Sequence, residues 1–228
     1  STGYIDPITE KFVPASELKM RTMIQTDPDE KIRKACFEAR EKLALDSIND
    51  YVTLVKLRNE FAQSLGFSDF YDFKLQKIDR MTKNELFSLF EDISEKTKSM
   101  FSEIRQLEND ISELRKPWNF SYYTTGDFTK EEDPYFQFDQ SISRWGKSFS
   151  ALGIDFKQGK LQLDLLDREG KYNNGFCHWP DLVHFDKGKR RSGSANFTCT
   201  VVAGQVGSGV IGYNTLFHEG GHAAHFLN

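Results

Sequence analysis

The pattern that most constrains this chain is His218-Glu219-Gly220-Gly221-His222, close to the end of its 228 residues. Residues four apart share one face of an α-helix, so a helix here aims the two imidazoles at one point. His-Glu-x-x-His is the spacing by which a single helix offers two nitrogen ligands to zinc. Glu219 directly follows the first histidine, where its carboxylate reaches a water on the metal rather than the metal itself. With five histidines in the whole chain, chance rarely produces this spacing. The motif also makes a demand on the fold. Gly220 and Gly221 each weaken an isolated helix by about 1 kcal/mol relative to alanine, so tertiary packing or metal ligation must hold this one in place.

Two histidines do not complete a catalytic zinc site, which ordinarily has three protein ligands and a water. A third histidine six residues after the second is excluded, because Asn228 stands there and His225 stands where glycine would be needed. His225 falls near the face of His218 but about 10 Å farther along the axis, which suits packing better than ligation. We therefore expect the third ligand beyond Asn228. His178 and His184 read as hydrogen-bonded structural residues. Cys177 and His178 are adjacent, and neighbours on a strand point to opposite faces, so they do not form a thiol–imidazole pair. The glycine-rich run from Ala203 to Gly212 lacks the Gly-Lys-Ser/Thr ending of a phosphate loop and reads as a flexible connection into the last helix.

The net charge of −4 gives neither nucleic acid nor an anionic membrane surface an obvious hold. No apolar run is long enough to span a bilayer, and Ser1 to Ile24 mixes charges and prolines unlike a signal peptide. Cys36, Cys177 and Cys199 are odd in number and widely spaced, which suits reduced thiols in the cytoplasm.

Along the chain, residues 1–27 read as irregular, broken by Pro7 and Pro14. Asp27-Pro28 reads as an N-cap followed by proline at the first helical position. Apolar residues then recur at helical spacing from Ile32 to Leu65, and the length predicts two helices with a break near Ser47 to Asp50, stopped by Gly66. A short helix is expected over Asp69 to Ile78. Thr82-Lys83-Asn84-Glu85 is a capping box for a helix ending before Pro117. Trp118 to Tyr123 reads as an aromatic loop, and Glu131 to Pro134 as the start of a helix running to Gly153. Alternation then predicts short strands at Leu161 to Leu165, Phe176 to Phe185 and Asn196 to Val202. The last helix has no glycine or proline stop, and we expect it to continue.

Thr215-Leu216-Phe217-His218-Glu219-x-Gly221-His222-x-x-His225 resembles the signature of the thimet oligopeptidase and oligopeptidase F family of zinc peptidases, although that family usually has a bulky residue where Gly220 stands. Asp164 to Lys171 followed by Gly175-Phe176-Cys177 resembles the segment before its active-site sheet. Asn196-Phe197-Thr198 resembles the edge strand along which it lays substrate. Pro117-Trp118-Asn119 and Tyr122-Tyr123 resemble a further loop. The resemblance covers roughly residues 28–228 and is specific in the last 65. It implies a mainly α fold, a helical two-lobed shell with a small β-sheet just before the His-Glu-x-x-His helix. Residues 1–153 would form one wall of a channel, and 154–228 the sheet and the zinc-binding helix, the start of a catalytic region truncated at its C-terminus. It further implies one zinc ion held by His218 and His222, Glu219 as catalytic base, and Asn196, Phe197 and Thr198 as substrate-binding residues. The third ligand would be a glutamate about 25 residues past His222, and short peptides would be the substrates.

The expected reaction is hydrolysis of peptide bonds in short peptides. Two alternatives stand beside it: an angiotensin-converting-enzyme-like dipeptidase, which shares the helix motif, and a non-catalytic homologue or fragment that binds peptides.

Overall fold

The computed structural model describes residues 2–228. Its elements run β1 (Gly3–Ile5), β2 (Phe12–Pro14), α1 (Glu17–Thr26), α2 (Glu30–Asp46), α3 (Ile48–Ser64), α4 (Phe70–Lys74), α5 (Lys83–Asp110), α6 (Pro117–Glu132), α7 (Ser141–Ala151), β3 (Lys160–Leu166), β4 (Phe176–Asp181), β5 (His184–Asp186), β6 (Lys189–Arg191), β7 (Ser194–Val201) and α8 (Ser208–Leu227). The fold is mainly α, with a small sheet immediately before the histidine-bearing helix, as expected. No helix among the described residues is long and apolar enough to cross a membrane.

The chain packs as two units, Arg40–Lys116 and the remainder. In Arg40–Lys116 the long apolar pattern does break where expected, with Ser47 separating α2 from α3. The α3–α4 turn is closed by Phe61, Phe67, Phe70 and Phe73, whose rings meet at 5.2–5.8 Å. The Thr82–Glu85 capping box forms at the start of α5.

The other unit departs from the sequence reading in its first half. Residues 1–27 are not irregular: β1 and β2 pair as a hairpin, and α1 follows. Pro14 ends a strand instead of breaking a helix, and the Ser16 hydroxyl caps α1 by accepting from Lys19 N. Helix α2 begins two residues later than the Asp27-Pro28 signal suggested, with the Asp29 carboxylate accepting from Lys31 N. Trp118 to Tyr123 is not a loop but the first turns of α6, where Pro117 stands at the start and needs no amide partner. That helix is fixed by Arg33, which is fully buried, donates Nε and Nη2 to Asn119 Oδ1, and lies 3.9 Å above the Tyr122 ring. The helix expected from Glu131 is two short 3-10 turns followed by α7.

The sheet has the order β3-β7-β4, with β7 parallel to β3 and antiparallel to β4. Alternate residues of β7 (Ala195, Phe197, Cys199 and Val201) point into the core. There they meet Leu216, Ala223 and Leu227 of α8, and Trp145 and Phe149 of α7. Full burial of a side chain such as Leu216, Leu227 or Phe197 stabilises by about 1.5–3 kcal/mol. This core sets the position of α8. Behind the sheet, Lys171 inserts its ammonium, which donates to the main-chain oxygens of Asp164, Leu166 and Cys199 and to the Asp164 carboxylate.

Candidate metal centre

Helix α8 opens after Gly207, whose left-handed φ of 80° turns the chain out of the β7 connection. Part of the segment expected to be a flexible connection, Ser208 to Gly212, is already helix. The buried stripe of α8 runs through Gly212, Tyr213, Leu216, Glu219, Gly220, Ala223 and Leu227, the spacing of a helix lying on a sheet. His218 and His222 stand on the opposite, exposed side.

Their Nε2 atoms are 3.3 Å apart, with the rings at 82° to each other. Two nitrogens each about 2.0–2.1 Å from a tetrahedral zinc are separated by about 3.3–3.4 Å, so the pair already has the spacing of one edge of such a site. Among the described residues, no third His, Cys, Asp or Glu joins them. His225 lies one turn on, its ring edge-on to Phe226. His178 is on β4 against Phe176, and His184 contacts Leu182 O in the short β5–β6 hairpin.

Glu219 is only 7% exposed, tucked where α8 meets β4. The approach there is close because of Gly175. A Cβ at that position would lie 2.2 Å from Thr215 Cγ2, 3.1 Å from Thr198 O and 3.5 Å from Glu219 Oε1. Asn174, Gly175, Asn214, Thr215, His218 and Glu219 line an open pocket of about 360 Å³. Cys177, next along β4, has its thiol pushed up to about 11, first by burial and then by the Glu219 charge. A thiol held protonated is a poor nucleophile, which agrees with setting the Cys177–His178 pair aside.

Gly220 also has a packing reason. A Cβ there would sit 2.5 Å from Trp145 Nε1 and 2.8 Å from its Cε2, so the indole beneath α8 occupies the space a side chain would need. Gly221 faces open space.

The edge position expected for Asn196, Phe197 and Thr198 needs correction. These residues are on the central strand, not an edge: Asn196 pairs with both Gln162 and His178, so its main-chain groups have no room for a further strand. Phe197 is buried in the core against Trp145. The open edge beside the histidines belongs to β4, which pairs only with β7 among the described residues. One sequence signal could have shown this. Pro180 lies within β4, and proline in a strand is confined to edges because it cannot donate to a ladder.

The profile of peptidase family M3 matches residues 23–227. The chain belongs to peptidase family M3. Membership makes it a hydrolase of the metallopeptidase class, acting on peptides. No curated protein sequence matches the chain significantly. The M3 match ends on Leu227 and so takes in the whole histidine-bearing helix and the sheet beneath it.

Proposed function

We propose that this M3 chain is a zinc-dependent endopeptidase of short peptides, with His218 and His222 as metal ligands and Glu219 as general base. The observation that carries the reading is the 3.3 Å separation of the two Nε2 atoms, one turn apart on a helix that also carries a shielded carboxylate. A zinc ion held there supplies Lewis-acid polarisation of the scissile carbonyl and lowers the pKa of water towards 7. Glu219 takes a proton from the attacking water at its carboxylate and returns it to the leaving amine nitrogen. Its burial against β4 limits its rotamers and holds the carboxylate beside the pocket that His218 also lines. The substrate backbone adds as a strand to the open edge of β4, in place of the strand at Asn196 to Thr198. Short peptides are the class implied by the resemblance to oligopeptidases. Free thiols at Cys36, Cys177 and Cys199 suit a reducing compartment, and we place the protein in the cytoplasm.

The test is cleavage of internally quenched peptides of about ten residues, with products separated by mass. Internal cuts that stop with a chelator and return with zinc support the proposal. Sequential release of C-terminal dipeptides would instead favour the dipeptidase reading. Peptide binding without zinc-dependent cleavage would identify a peptide-binding module.

A further inference from the structure

The open edge of β4 carries an aromatic flank for which catalysis alone gives no reason. Phe226 of α8 lies against Trp179 and Glu219 of α8 acts on the Cys177 thiol, so both side chains are on the α8 side of β4, while the Phe176 and His178 rings meet each other on the other. The Trp179 ring lies 4.3 Å from Phe226, centroid to centroid. Phe226 is one turn past His222, and its ring runs within 15° of parallel to that imidazole at 6.2 Å. Despite these contacts Trp179 remains 45% exposed, a large apolar surface one ring removed from His222. The other flank of the pair is polar, lined by Asn174, Asn214 and Thr215 around Gly175.

Gly175 and Trp179 are four residues apart, about 13 Å along a strand, so a peptide laid beside β4 passes from the amide-lined flank to the aromatic one. With its scissile bond at the histidine pair, it places one side chain over Trp179 and Phe226. We propose that Trp179 and Phe226 form a subsite selecting peptides with an aromatic side chain on one side of the scissile bond. This rests on the reading of the site as a peptidase centre. A substrate ring there joins an existing aromatic pair in offset or edge-to-face geometry, an increment that corresponds to about tenfold in affinity. A small or charged side chain leaves the indole as it is, and gains nothing.

The experiment uses blocked decapeptides of Ala, Ser and Gly in which a single Phe is moved through each position around the cut, with products read by chromatography. One position on one side of the scissile bond should raise kcat/KM about tenfold over the Ala peptide. In Trp179→Ala that ratio should collapse towards one. In parallel, the same Phe and Ala peptides are titrated into metal-free protein while tryptophan emission is read. The Phe peptide should bind about tenfold tighter, and Trp179→Ala should lose the preference. A Phe/Ala ratio unchanged by Trp179→Ala, or no preferred position, overturns the subsite while leaving the peptidase reading intact. If neither peptide is cleaved by the wild-type protein, the peptidase reading fails, and equal metal-free affinities for the two peptides overturn the subsite independently.

Discussion

Two identical substitutions one residue apart should have opposite effects. At Gly220 an alanine methyl would arrive 2.5 Å from Trp145 Nε1, 2.8 Å from Cε2 and 2.9 Å from Cζ2, each well inside contact distance. The indole has little room to retreat: it is buried, with Phe149, Phe156 and Phe197 centred 5.2, 5.6 and 6.0 Å away. Overpacking of this severity costs about 3 kcal/mol, and the gain in helix propensity returns about 1, leaving Gly220→Ala about 2 kcal/mol less stable. At Gly221 the methyl meets nothing within 4 Å, so Gly221→Ala should gain about 1 kcal/mol. Urea unfolding followed by tryptophan emission reads this directly, because Trp118, Trp145 and Trp179 all lie in the unit that holds α8. In thermal melts Gly220→Ala should lose about 4–8 °C, and Gly221→Ala should gain a few. Shifts of the same sign and size in both variants would refute the claim that Trp145 fills the space over Gly220.

Three other substitutions test neighbouring parts of the account. Asn119→Ala removes the acceptor of two Arg33 donors and leaves a buried charge underserved, so stability should fall by about 3 kcal/mol in the same urea assay. Lys171→Met removes a donor shared by three main-chain oxygens, at Asp164, Leu166 and Cys199, with a loss of similar size, about 3 kcal/mol. The Asp164 carboxyl is held well below the usual carboxylate range by hydrogen bonds from Arg168 and then Lys171. Its depressed folded-state pKa stabilises the protein above the unfolded value of about 3.9, so the gap between wild type and Asp164→Asn should be present at pH 7 and narrow as pH falls below about 4. A gap independent of pH would show that the ion pair contributes nothing.

The sequence was most legible where local chemistry decides the outcome. The Thr82–Glu85 capping box, the stop at Gly66, the break at Ser47 and the helical face shared by His218 and His222 all depend on contacts within a few residues. It was least legible where a distant partner decides. Nothing near Trp118 signals that Arg33 will hold it in a helix, and nothing near Glu17 signals the packing of α1 against α6. Strand order failed for the same reason. The apolar alternation of β7 marks a strand, but only its pairing with both Gln162 and His178 makes it central. Gly220 reads as a defect of the motif on its own, and the reason for it, Trp145, lies 75 residues earlier. At the candidate site, the shared face of His218 and His222 was legible and the strand order beside it was not.

The most direct test of the central claim is a paired measurement on Glu219→Gln: zinc content after dialysis, and turnover of a quenched peptide, each against wild type. The substitution keeps the size of the side chain and leaves both imidazoles untouched, but removes the proton acceptor. The account predicts zinc content equal to wild type, with turnover lower by about a hundredfold or more. Wild-type turnover in Glu219→Gln, or cleavage by the wild-type protein that survives complete removal of zinc, would contradict it.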